Sequence, residues 1–130
     1  MIILENIIKL LRTSENLLEI KTAAKKLAEI NSFEYHKELY RMANRKRRGF
    51  FRSRYTKEHM IVALEALAET GTEEARCFLE NFFKDNGKFF DSNYKEKIMQ
   101  RIEKTCYERE KWLLEYEARK LKQFYNQRYG

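Results

Sequence analysis

The residues with the most evident chemistry lie in one stretch, 41–54, which carries seven cationic side chains and no acidic one. Its cations are Arg41, Arg45, Lys46, Arg47, Arg48, Arg52 and Arg54, and the aromatic residues Phe50 and Phe51 lie among them. Arginine binds phosphate with two parallel hydrogen bonds, and aromatic rings can stack on unpaired bases. We call this stretch the basic segment, and its composition predicts a docking site for an anionic partner.

Three kinds of anionic partner suit a basic segment that contains aromatic residues. Nucleic acid fits best, because six of the seven cations are arginine and lysine would serve solubility equally well. An acidic protein comes next, and an anionic membrane surface comes last because no amphipathic membrane helix accompanies the segment. The alternative without a partner is that the charges only solvate a linker and a helix end, where cations also complement the helix dipole.

A second candidate surface is the C-terminal region, which is rich in aromatic residues. The residues concerned are Trp112, Tyr116, Phe124 and Tyr125. In one interpretation they belong to a capping helix that folds back over the exposed end of the preceding helices. In the other, they dock a partner protein or a second copy of the chain, since aromatic residues dominate the energetics of many interfaces. The chain would then be a protein–protein interaction scaffold, or a subunit of a larger complex.

The sequence offers no catalytic or metal-binding pattern. Neither His36 nor His59 belongs to a Glu-x-x-His pair, and we expect both at the surface or its boundary. Cys77 and Cys106 lack the short spacing of a zinc site and are expected to be free core thiols in a reducing compartment. The four glycines are isolated, so no phosphate-binding loop is present. We therefore expect a non-enzymatic binding module without metal or cofactor.

Composition favours one all-α domain over residues 1–130. The chain has no proline and only four glycines, which leaves few of the turns that sheets need, whereas Glu, Lys and Arg favour helices. The formal net charge of +7 agrees with an anionic partner. Glu5 and Lys9 interrupt the apolar N-terminus, which is too short and too charged for a membrane span and lacks the features of a signal peptide. We therefore expect a cytoplasmic protein without a transmembrane segment.

Apolar residues at three- and four-residue spacing divide the chain into an N-terminal helix in 1–14, a helix pair in 15–48, a second pair in 56–85 and a long helical segment in 92–130. Thr13 or Ser14 is the expected cap of the second helix, and Thr72 that of the fifth, after a left-handed turn at Gly71. The last segment contains no helix breaker. It is predicted to be a helix that either breaks near 108–111 or projects with its second half.

The two helix pairs resemble each other at one constant offset along the chain. Residues 27–32 (L-A-E-I-N-S) align with 67–72 (L-A-E-T-G-T), and the same offset carries Glu34 onto Glu74. Periods near 40 with paired helices are typical of α-solenoids. The stretch V-A-L-E-A-L-A-E-T-G-T-E-E-A-R-C-F-L is similar to a HEAT repeat in its Ala–Leu alternation, its Gly turn and its acidic second-helix start, so residues 15–85 resemble a HEAT-like helical-repeat protein. The resemblance implies a short HEAT-like α-solenoid of about six helices. The alternative is a helical bundle whose hairpins are alike by chance.

Overall fold

The computed structural model describes residues 3–14, 16–30, 33–44, 57–88 and 90–129, so that it covers only the first four residues of the basic segment. Within these ranges the chain forms six α-helices and no strand, which confirms the all-α class. They are α1 (Ile3–Thr13), α2 (Leu17–Glu29), α3 (Phe33–Asn44), α4 (Lys57–Thr70), α5 (Glu73–Asp85) and α6 (Ser92–Tyr129).

The internal offset of the sequence reappears in the helix boundaries. Helix α2 begins at Leu17 and α4 at Lys57, and the same separation divides the start of α3 at Phe33 from that of α5 at Glu73. The fold is therefore compatible with a helical-repeat architecture in which α2–α3 and α4–α5 are successive pairs.

The turn inside the second pair is as predicted. Gly71 has a φ of +68°, in the left-handed region. The Thr72 hydroxyl accepts a hydrogen bond of 3.2 Å from the backbone N–H of Ala75. The glycine therefore ends α4, and the threonine caps α5.

The cap of α2 differs from the prediction. Its N-cap is Asn16, whose side-chain oxygen accepts hydrogen bonds from the backbone N–H groups of Leu18 and Glu19. The hydroxyl of Thr13 instead donates to the Lys9 carbonyl inside α1, and that of Ser14 donates to the Glu19 carboxylate. Asparagine is as strong a cap as serine, so the local signal did not decide between neighbouring candidates.

Helix α4 lies at the centre of the fold, in contact with α2, α3, α5 and α6. Its buried side chains cover most of the helix surface, and among its described residues only the side that carries Glu58 and Glu69 is exposed. The buried residues include Val62, Ala63, Leu64, Ala66, Leu67 and Ala68. The small alanine side chains allow neighbouring helices to pack closely, since the distance between helix axes depends on the side chains at the contact. Because α4 contacts four other helices, it is the core element that positions its neighbours.

Helix α6 packs alongside α4 and against the turn that follows it. Thr105 donates a hydrogen bond of 2.6 Å to the carbonyl of Ala68, and the thiol of Cys106 lies 3.6 Å from the carbonyl of Thr72. A Cβ atom on Gly71 would lie only 2.7 Å from the carbonyl oxygen of Thr105. The glycine therefore serves two purposes here, because it permits both the left-handed turn and the close approach of α6.

Ring contacts join α3, α5 and the beginning of α6. The rings of Tyr40 and Phe78 meet edge to face at 4.8 Å, and Phe90 stacks on Tyr94 at 5.4 Å. Phe90 precedes α6 and is buried against Phe83. These contacts anchor the first turn of α6 to α5, since aromatic pairs in such geometries stabilise packing beyond their buried area.

Helix α6 is continuous over 38 residues, about 57 Å at 1.5 Å per residue, with no break near 108–111. Its first half packs on the other helices through Ile98 and Ile102. Every residue from Glu110 to Arg128 is exposed, so the second half projects and does not fold back as a cap over the described helices. We call residues 110–128 the distal half of α6.

The cysteines are free, but the prediction that both lie in the core was wrong for Cys77, which is exposed on α5. Cys106 is half-buried, and burial raises the pKa of its thiol above the ordinary value. Its position against the α4–α5 turn makes it part of the packing between α6 and that turn.

Candidate functional site

The basic segment connects α3, in the first helix pair, to α4, in the second. Eight of its nine predicted site residues lie outside the described residues: Arg45, Lys46, Arg47, Arg48, Phe50, Phe51, Arg52 and Arg54. The roles assigned to these residues stay predictions. The flanking helix turns are held by the core, because Met42 and Ala43 near the end of α3 and His59 near the start of α4 are buried.

Arg41 is the one predicted site residue of the basic segment that the structure describes, and it lies in the last turn of α3. Its side chain is exposed, and its Nη1 atom lies 3.8 Å from Oε1 of Glu38. Glu38 also pairs with Arg12 of α1, with 3.2 Å between Arg12 Nε and Oε2. Arg41 therefore shares one carboxylate with a second guanidinium, and because its own guanidinium is solvated and 3.8 Å away, the pair stabilises little.

A groove of about 700 Å³ lies between α2, α4 and α6, and sequence analysis did not predict it. Its apolar wall is formed by Val62, Ala66 and Ile98, and the charged residues that line it are Lys21, Lys25, Glu65, Glu69, Lys97, Arg101 and Lys104. Five cations therefore face two carboxylates. The spacing of Lys21 and Lys25, four positions apart on one helix, could have indicated a shared face, but no local signal connects α2 to α6.

One ion pair neutralises part of this groove. Arg101 and Glu69 form two parallel hydrogen bonds of 2.6 and 2.7 Å, which raise the pKa of the Arg101 guanidinium above its ordinary value. Within the described residues, the four groove lysines form no ion pair with a carboxylate. The groove is therefore cationic on balance, although lysine side chains on its rim are solvated.

The distal half of α6 presents the predicted aromatic residues to solvent. Trp112, Tyr116, Phe124 and Tyr125 are all exposed. The rings of Trp112 and Tyr116 stack with centroids 5.3 Å apart, and Nζ of Lys120 lies 4.8 Å from the centroid of the Tyr116 ring. This ladder continues the face of α6 that packs on the body, since Trp112 follows Thr105 at helical spacing.

Three large leucines on the distal half are exposed as well, and sequence analysis did not single them out. They are Leu113, Leu114 and Leu121, of which Leu121 is 69% exposed. A shallow hollow beside Leu121 and Phe124 is also lined by Glu117, Lys120, Gln123 and Gln127. Contiguous exposed apolar side chains on a projecting helix are typical of an interaction surface.

Both histidines lie in the core, so the prediction that they are surface or boundary residues was wrong. His36 is 1% exposed, and its Nε2–H donates a 2.7 Å hydrogen bond to the carbonyl of Ile30 at the end of α2. Burial lowers the pKa of His36, and the charge of Arg109 lowers it further. His59 is 7% exposed. Among the described residues, no three His, Cys, Asp or Glu side chains are grouped as metal ligands.

Among the described helices, none is long and apolar enough to cross a membrane. Comparison of the chain with protein-family models, with curated protein sequences and with solved structures finds no significant match.

Proposed function

We propose that this chain is a non-enzymatic binding module in which a short HEAT-like helical scaffold holds the basic segment, 41–54, for an anionic partner, with nucleic acid as the partner class. The observation that carries the proposal is the segment itself, which has six arginines, one lysine and no carboxylate. Phosphate contacts would supply affinity, and Phe50 and Phe51 would stack on unpaired bases or anchor the partner. Free cysteines agree with a cytoplasmic setting for this activity.

The packing of the flanking helices supports this proposal. Buried residues near the end of α3 and near the start of α4 hold both flanking helices in the core. Flanking helices that are fixed in the core reduce the conformational entropy that the basic segment between them would lose when it binds. The lysines of the α2–α4–α6 groove add positive charge on the same scaffold, which would steer an anionic partner over longer distances.

Two variants with equal charge test the proposal. Changing Arg45, Arg47, Arg48 and Arg52 to Ser removes four charges from the basic segment, and changing the exposed residues Lys9, Lys26, Lys84 and Lys88 to Ser removes four elsewhere. We expect the first variant to lose affinity for a fluorescent single-stranded oligonucleotide at least ~100-fold, because each lost phosphate contact weakens binding. The second variant should lose only the part of the oligonucleotide affinity that depends on the net charge of the chain. Equal losses would contradict the proposal.

The same four arginines changed to Lys keep the charge and remove the planar guanidinium groups. If arginine acts by bidentate phosphate binding and by stacking, this variant should bind more weakly than wild type and more tightly than the Ser variant. Unchanged affinity would assign the interaction to charge alone.

A second candidate function is supported by a different observation, the exposure of the aromatic and leucine side chains on the distal half of α6. In this function the chain is a protein–protein interaction scaffold, with α6 as the docking helix and the basic segment as a solvated linker. The two functions respond differently to salt, because an apolar interface is much less sensitive to ionic strength than phosphate contacts are.

A further inference from the structure

We propose that the distal half of α6 pairs in antiparallel orientation with the distal half of α6 from a second copy of this chain. The inference rests on the second candidate function, in which α6 is a docking helix, and it names the partner. It draws on three observations: the exposed apolar side chains of this half, their helical spacing, and the distribution of charge along it.

The exposed face of the distal half follows the alternating three- and four-residue spacing of a helix–helix seam. The positions on the seam are Glu110, Leu114, Glu117, Leu121, Phe124 and Arg128. All six are exposed, and Leu114 is 62% exposed. Spacing of this kind keeps a set of side chains on one side of a helix and suits pairing with another helix. Leu113 lies at the edge of the same face and widens it.

The distribution of charge along the distal half favours a second copy of the chain as the partner and an antiparallel orientation of its helix. Residues 110–117 contain three glutamates and one lysine, a net charge of −2, whereas residues 118–128 contain two arginines, two lysines and no acid, a net charge of +4. A parallel pair would place like-charged halves side by side. An antiparallel pair places the acidic half of each chain against the basic half of the other, so that electrostatic complementarity fixes the orientation.

The individual seam positions agree with this direction. In a parallel pair, Glu110, Glu117 and Arg128 would each face their own copy. In an antiparallel pair centred near residue 119, Glu110 faces the partner copy's Arg128, Leu114 faces its Phe124, and Glu117 lies beside its Lys120 and Leu121. Arg128 already lies over the Phe124 ring, at 5.9 Å from the centroid, so its side chain is directed along the seam.

The length of the seam bounds the affinity. Residues 110–128 span about 27 Å at 1.5 Å per residue, which is a short contact and places the interface at the small, transient end of the range. A helix that projects without packing partners is only marginally stable, because most helical stability in proteins comes from packing. Pairing would therefore also stabilise the distal half of α6. We therefore expect a dimer that forms and dissociates over about 10 to 500 µM chain.

Sedimentation equilibrium of the full chain over that concentration range tests the pairing. Wild type should be a monomer at the low end and mostly a dimer at the high end. Changing Leu114 and Leu121 to Ser should raise the dissociation constant at least ~100-fold, because both are apolar contacts between the charged ends of the seam. Changing Glu115 and Lys122 to Ser, on another side of the helix and with the same seven-residue spacing, should leave it within about threefold. A wild-type monomer at every concentration, or equal effects of the two variants, would overturn the proposal.

Charge reversal tests the direction of pairing. Arg128→Glu should raise the dissociation constant about tenfold in an antiparallel dimer, since it faces Glu110 with a second carboxylate, and adding Glu110→Arg should restore it. Arg119→Glu is the matched control on the opposite side of the helix and should have the smaller effect. In a parallel dimer each of these residues faces its own copy, so each substitution replaces one like-charged contact by another. The single and double variants would then have similar dissociation constants. That result would overturn the antiparallel assignment.

Oligonucleotide affinity measured on the same variants separates this inference from the principal function. The Leu114→Ser and Leu121→Ser variant should keep single-chain affinity for the oligonucleotide at low protein concentration, because the basic segment is intact. Loss of the dimer with retained oligonucleotide binding supports both proposals. If the chain binds the oligonucleotide but stays monomeric at all concentrations, only the proposed pairing is refuted. If it forms a dimer but has no affinity for the oligonucleotide, only the proposed nucleic-acid function is refuted.

Discussion

Substitution of Gly71 by alanine should destabilise the fold more than its small size suggests. Gly71 has a φ of +68°, a conformation that costs an alanine roughly 1–2 kcal/mol. The new Cβ would also lie 2.7 Å from the carbonyl oxygen of Thr105, and crowding of this kind typically costs about 1–3 kcal/mol. Together these effects predict a loss of about 2–5 kcal/mol in the free energy of unfolding.

Gly87→Ala is the matched control for this substitution. Gly87 lies in the turn after α5 without a left-handed φ, and a Cβ there would lie 3.1 Å from the carbonyl oxygen of Phe83. We expect a change within about 1 kcal/mol, because the turn can relax. Urea unfolding followed by far-ultraviolet circular dichroism gives both free energies. If Gly71→Ala costs no more than Gly87→Ala, then α6 does not pack on the α4–α5 turn as described.

Three further predictions concern buried polar groups. Burial lowers the pKa of His36, so the folded protein favours the neutral ring. The free energy of unfolding should therefore fall as the pH drops below 6.5, the ordinary pKa of a histidine in the unfolded chain. Urea unfolding of wild type and His36→Gln at pH 7.5 and 5 tests this, and the fall should be smaller in the variant. Identical pH dependence of the two proteins would show that His36 does not contribute. The charged groups that face His36 are Arg109 of α6 and Glu74 of α5. Thr105→Val should cost about 1–2 kcal/mol because it leaves the Ala68 carbonyl without its 2.6 Å partner, and an unchanged urea midpoint would contradict that bond. Tyr94→Phe should be neutral or slightly stabilising, since the buried Tyr94 hydroxyl has no hydrogen-bond partner among the described residues; a marked loss of stability would reveal one.

Local signals predicted the second helix pair well. A glycine followed by a capping hydroxyl and two glutamates specifies a helix end and a helix start within four residues, and Gly71 and Thr72 behave as expected. The offset between residues 27–32 and 67–72 likewise predicted where α4 and α5 begin relative to α2 and α3. The cap of α2 was missed because Thr13, Ser14 and Asn16 all have cap-forming side chains, and nothing local ranks them.

The error about His36 has a physical origin that the sequence contained. His36, Leu39 and Ala43 recur at helical spacing and share one buried face, so the pattern placed the histidine inward. Histidine is intermediate in its preference for burial, so the residue type alone did not decide its position. What could not be read from the sequence is the Ile30 carbonyl that accepts its hydrogen bond, since the turn between α2 and α3 brings the two together.

Surfaces formed by distant segments could not be predicted. The groove lysines come from α2 and α6, which are far apart in the sequence and become neighbours only because both pack on α4. The length of α6 was predictable from the lack of breakers. Whether its second half packs or projects depends on whether the other helices leave an open face for it, which spacing alone does not determine.

The most direct test of the central claim is the salt dependence of oligonucleotide binding by the wild-type chain. If about four phosphates are neutralised by the basic segment on a single strand, the plot of log affinity against log salt should have a slope near −3, and affinity should fall about 50-fold between 50 and 200 mM salt. Fluorescence anisotropy at several salt concentrations measures this slope. A slope near zero, or no binding at the lowest salt concentration, would contradict the account.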